Sequence, residues 1–130
     1  PMDGSAMLNV LLVALGGGLG AASRFGVSLA FPARGDAWPW ATFGINVAGS
    51  LLIGVLAGWI ARNPEAEPWR LLLGVGVLGG FTTFSAYSLE AMRMIERNDW
   101  VGASTYSIGS VIAGLAAVAI GLAMAKRVFG

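Results

Sequence analysis

The stretch GGFTTFSAYSLE, Gly79 to Glu90, interrupts one of the most apolar parts of the chain with two glycines, two adjacent threonines, two serines and three aromatic rings. Glycine and β-branched threonine are weak helix formers, and threonine hydroxyls compete for backbone hydrogen bonds. The stretch therefore predicts a break near residues 79–83 in a run that is otherwise helical. In a membrane, non-helical backbone is tolerated at depth only where it is buried in protein or lines a cavity, so a break there implies a site. Freed carbonyl oxygens would suit a hard cation, whereas half-helix ends and nearby hydroxyls would suit other charges.

Composition places the surrounding run in a bilayer. The 130 residues are 56% hydrophobic and 12% charged, with a mean hydropathy of +0.74, far from the composition of a soluble domain. Four apolar runs, about 7–31, 41–61, 71–94 and 101–125, are each long enough to cross a hydrocarbon core of about 30 Å. The expected fold is an all-α membrane protein, one transmembrane domain over residues 1–130 with four spanning helices, the third broken mid-membrane. Between the runs, PARGDAWPW, RNPEAEPWR and RMIERNDW collect most charges and four of the five tryptophans, the pairing of rings and charges that marks a membrane-water interface. The start, PMDGSA, has an acid where a cleavable signal carries a basic region, so no cleaved signal is expected.

Several chemistries are closed off. With no cysteine and no histidine, the chain offers no disulfide, thiolate or imidazole ligand, nor a histidine proton relay. No nucleophile, base and oxyanion site can be assembled, so no enzyme is expected, and nothing suggests nucleic acid.

With four spans both termini share a side. That side carries Arg62, Arg70, Lys126 and Arg127, and the other Arg34, Arg93 and Arg97, with Arg24 if it snorkels outward. Because the Lys/Arg bias normally sets orientation, the near-even count leaves both dual topology and a single, weakly specified one open. So small a bundle cannot readily enclose a water-filled path alone, and association as a homodimer is expected. Gly16 and Gly20, Gly54 and Gly58, and Ala117 and Gly121 are small residues spaced for close helix packing.

Polar groups kept at depth are costly unless paired, so function is sought there. Arg24 is either an anchor at the headgroups or an electropositive vestibule for an anion. Asn46, the only strongly polar side chain of the second run, serves either as interhelical glue or as a hydrogen-bond donor to a ligand. On the fourth run Tyr106 and Ser110 share a helical face within a cluster of hydroxyls. Phe84 and Tyr87, three apart, also share a face; their partially positive ring edges could hold a small anion, or the rings could simply pack a dimer.

These residues together give GGGLGAASRFG, TFGINVAGS and GGFTTFS followed by an aromatic residue and a glutamate, and with them the chain resembles the CrcB/Fluc family of bacterial fluoride channels over essentially its whole length. The resemblance implies an antiparallel (dual-topology) homodimer of oppositely oriented subunits in the bacterial cytoplasmic membrane, with two fluoride pathways. It implies that the broken third helices cross at the dimer centre, where the backbone carbonyls of Gly79 and Thr82 hold one structural sodium ion (Na+). It places fluoride beside Asn46, Phe84, Tyr87, Tyr106 and Ser110, with Thr83 and Ser85 as neighbours. The chain departs from the family pattern at Tyr87, where phenylalanine is usual. It also lacks a hydroxyl at Gly114 and Ala117, so a continuation of the fourth-helix polar track is missing or comes from another element.

A path of neutral donors fits passive fluoride flow, since conduction needs binding strong enough to enter and weak enough to leave. Two rivals are a small proton-coupled multidrug exporter, which needs a deep carboxylate where the first run has Arg24, and a non-catalytic subunit of a membrane complex. Glu90 is the only acidic candidate in a span and is expected near its end.

Overall fold

The computed structural model describes residues 2–130. The first helix, Gly4–Ala30, starts where the Asp3 carboxylate accepts the Ala6 N–H at 2.8 Å, satisfying one of the donors that a helix start leaves open. The second is Trp40–Arg62 and the fourth Trp100–Phe129, the latter capped by Asp99, which accepts from Gly102 N–H at 2.9 Å. Lys126 and Arg127 lie in the last turn of the fourth helix, where positive charge complements exposed carbonyls. All four spans are long and apolar enough to cross a membrane.

The third span, Pro64–Glu96, is composite. A 3-10 turn, Pro64–Ala66, leads through Glu67–Trp69 into a wide π-helical run, Arg70–Leu78, and then Gly79–Phe81. Thr82 and Thr83 are extended, with ψ of 156° and 121°, and the helix resumes as Phe84–Glu96. The break is therefore present but narrower than the expected 79–83. Gly79 and Gly80 stay helical; the interruption falls on the two β-branched threonines. Thr83 starts the trailing helix as its cap, its hydroxyl accepting from Ala86 N–H at 3.2 Å. Each span also extends beyond its apolar run, because capping and charged end residues wind the helix into the interface.

Non-consecutive spans pair. The first helix packs mainly against the leading segment of the third, and the second against the fourth. Both seams are main-chain contacts made possible by glycine. A methyl group at Gly16 would overlap the Leu72 carbonyl oxygen, and one at Gly54 the Val118 carbonyl oxygen. The small-residue pairs that suggested association between subunits are thus used inside one chain: Gly16 and Gly20 against the third span, Gly54 and Gly58 against the fourth, Gly121 against the second.

Candidate functional site: a polar groove at the helix break

Opening the backbone at Thr82 and Thr83 releases groups that would otherwise bond within the helix, and their new partners define the site. Thr83 N–H donates to Asn46 Oδ1 at 2.8 Å, and Asn46 Nδ2 donates back to the Thr83 carbonyl at 3.1 Å. One side-chain amide thus satisfies both main-chain groups of one extended residue. Arg24 Nε donates to the Gly80 carbonyl at 3.2 Å, tying the first helix to the last turn before the break. Leu78 O accepts both the Thr82 N–H at 3.0 Å and the Thr82 hydroxyl at 2.9 Å. Among the described residues no hydrogen bond reaches the carbonyls of Gly79 or Thr82.

Beside the break lies an open groove of about 440 Å³. Asn46, Thr83, Phe84, Tyr87 and Ser110 line it together with Gly79 and Thr82. Phe84 is 78% exposed, so its ring stands out of the single chain. Its centroid lies 5.3 Å from that of Tyr87. The Tyr87 hydroxyl donates to Ser107 Oγ at 2.7 Å, a short contact that holds the ring against the fourth helix.

Relatives about half identical in sequence cover nearly the whole chain. A family model described as CrcB-like protein, Camphor Resistance (CrcB), matches residues 11–122. The chain belongs to the CrcB family. Among its CrcB relatives, a Caulobacter sp. (strain K31) protein is 50% identical over 126 residues, covering 95% of this chain and 98% of its own. A Phenylobacterium zucineum (strain HLK1) protein is 51% identical over 126 residues, covering 95% and 99%. One from Novosphingobium aromaticivorans is 49% identical over 125 residues, covering 94% and 99%. Each of the three bears the name Fluoride-specific ion channel FluC.

Two expected residues of this CrcB chain sit differently from the rest. Tyr106 is fully buried and does not line the groove; its ring packs behind Tyr87 at 5.1 Å and against Trp38 at 5.1 Å. Ser85 lies at the exposed end, its hydroxyl 3.3 Å from that of Thr83. The residue that sequence reasoning undervalued is Glu90. It lies near the end of the third span, as expected, six residues before Glu96, and its carboxylate accepts from the Thr42 hydroxyl at 3.0 Å and from the Tyr106 hydroxyl at 3.2 Å. The signal was available in the hydroxyls Thr42 and Tyr106, which a half-buried carboxylate needs as donors.

Proposed function

We propose that the protein is a fluoride-selective channel that lets fluoride leave the bacterial cytoplasm passively across the cytoplasmic membrane. The observation that carries this reading is the half identity, over nearly the whole of both chains, to relatives named fluoride-specific ion channels. The groove suits that task. Fluoride is small and strongly hydrated, so a path must replace its water shell with closely set donors. Neutral hydroxyls, an amide and ring edges provide these without the long dwell that a buried cation would impose. Asn46 presents its second amide hydrogen beyond its clasp on Thr83, and Ser110 its hydroxyl. Thr83 and Ser85 flank the entrance, Phe84 and Tyr87 supply edges, and Tyr106 acts from behind Tyr87. Arg24 works as an anchor of the break rather than as a vestibule.

A single chain leaves the groove open and Phe84 projecting, which fits completion by a second, oppositely oriented copy. Two break segments meeting on the dimer axis would bring together four carbonyls, from Gly79 and Thr82 of each copy. Hard, neutral oxygen donors without carboxylates suit a sodium ion, and among the described residues no cluster of three His, Cys, Asp or Glu side chains offers a competing site. When bound, the ion would neutralise carbonyls that the break leaves bare. With sodium replaced by a much larger organic cation, dimers should lose fluoride flux or dissociate. Unchanged flux and dimer content in sodium-free solution would remove the ion from the reading.

The primary test is fluoride efflux from proteoliposomes, with a potassium ionophore setting the voltage and chloride followed in parallel. Voltage-driven fluoride loss with negligible chloride loss is expected; folded dimers that release no fluoride would sink the proposal. Tyr87→Phe should remain conductive within about fivefold, because the hydroxyl is held by Ser107 and one neutral hydrogen bond contributes only about 1 kcal/mol. A folded but silent Tyr87→Phe variant would make the phenol an essential donor.

A further inference from the structure

We propose that Ser50, on the second helix, coordinates the permeating anion and supplies the hydroxyl that the fourth helix lacks at Gly114. This rests on the fluoride-channel reading above. Along the fourth helix Ser110 and Gly114 are one turn apart on one face, so the hydroxyl line stops where Gly114 has no side chain. A Cβ built on Gly114 would come within 3.6 Å of Ser50 Oγ. The Ser50 hydroxyl thus occupies the space into which a side chain at 114 would reach. Ser50 also follows Asn46 by one turn on the second helix, and Asn46, Ser50 and Ser110 all line the groove.

A separate observation concerns where hydroxyl protons go. Ser23, Ser28, Ser88 and Thr105 each donate to the carbonyl four residues earlier, the usual way for a helix to satisfy such a group. Neither Ser50 nor Ser110 makes a side-chain hydrogen bond among the described residues, and neither oxygen is sealed from the groove, since no buried side-chain polar atom lacks a partner. Two hydroxyl donors on facing helices are therefore uncommitted at the one place where the groove needs them. Hydroxyl donors make short, strong bonds to anionic acceptors, and a pair from opposite walls can hold fluoride more closely than a larger halide.

The test is fluoride efflux from proteoliposomes with four proteins: wild type, Ser50→Ala, Gly114→Ser and the double variant Ser50→Ala/Gly114→Ser. Ser50→Ala should slow fluoride release about tenfold, the loss of one donor to an anion, while eluting as wild-type dimer. The double variant should recover most of the flux, because it returns a hydroxyl to the same space from the facing helix. A purely structural serine would not be rescued in this way. Wild-type flux in Ser50→Ala, or a slow Ser50→Ala that the double variant does not restore, overturns the assignment and leaves the channel reading standing. Wild-type protein that releases no fluoride overturns both.

Discussion

Asn46→Asp is expected to cut fluoride flux by more than about a hundredfold, the effect of about 3 kcal/mol in the barrier. Asn46 accepts from Thr83 N–H and donates to the Thr83 carbonyl. Aspartate preserves the first contact but sets a carboxylate oxygen against the carbonyl in place of a donor. The substitution also puts a negative charge on the wall of the groove that we propose carries the anion. The two effects separate experimentally: size-exclusion elution and thermal unfolding report the clasp, and efflux reports the path. Folded Asn46→Asp protein that conducts within a few-fold of wild type would take Asn46 out of the mechanism.

Gly20→Val should be the most damaging change to the fold. A Cβ at Gly20 would overlap the Val77 carbonyl oxygen and lie 2.8 Å from Phe81 N. Both are main-chain atoms, so no rotamer change can make room, and the helices must separate. The expected loss is at least about 3 kcal/mol, at the upper end of overpacking costs. Separation would also remove Arg24 from the Gly80 carbonyl and loosen the break itself. Gly18→Ala is the matched control, because nothing lies within 4 Å of its added methyl. Equal unfolding temperatures for Gly20→Val and Gly18→Ala would show that this seam does not hold the bundle.

The spans were legible because membrane solvation leaves few options: long apolar runs bounded by charge and tryptophan can only be helices. The break was legible for a partly different reason from the one that produces it. Glycine at 79 and 80 lowers helix propensity, yet the close approach of the first helix, with Gly17 O against Gly80, keeps that turn wound. The extended residues are the threonines, one of which has Asn46 to satisfy its backbone. The wide turns of Arg70–Leu78 have no signature in a run of leucine, glycine and valine. Asn46, Phe84, Tyr87 and Ser110 could be grouped from motif spacing, because helix faces bring them to the break. The burial of Tyr106 behind the groove was not legible by the same logic. It shares a face with Ser110, but Tyr87 and Trp38 cover it, and covering by other helices cannot be read from one helix's period. Glu90 was singled out as the only acidic candidate in a span, but its partners Thr42 and Tyr106 were not legible because they are distant in sequence.

The pairing of first with third and second with fourth spans bears on how the chain is made. A helical hairpin formed from consecutive spans can close as soon as its second member enters the membrane. Here the first helix must wait, with its glycine seam exposed to lipid, until the second has been threaded and the leading segment of the third arrives. At a synthesis rate of about 5–20 residues per second, that wait lasts seconds. The second helix then waits for the last span to leave the ribosome. The two pairs therefore interlock only when synthesis is nearly complete, and a chain cut short after the third span would leave the wall that carries Asn46 and Ser50 without the helix against which it closes.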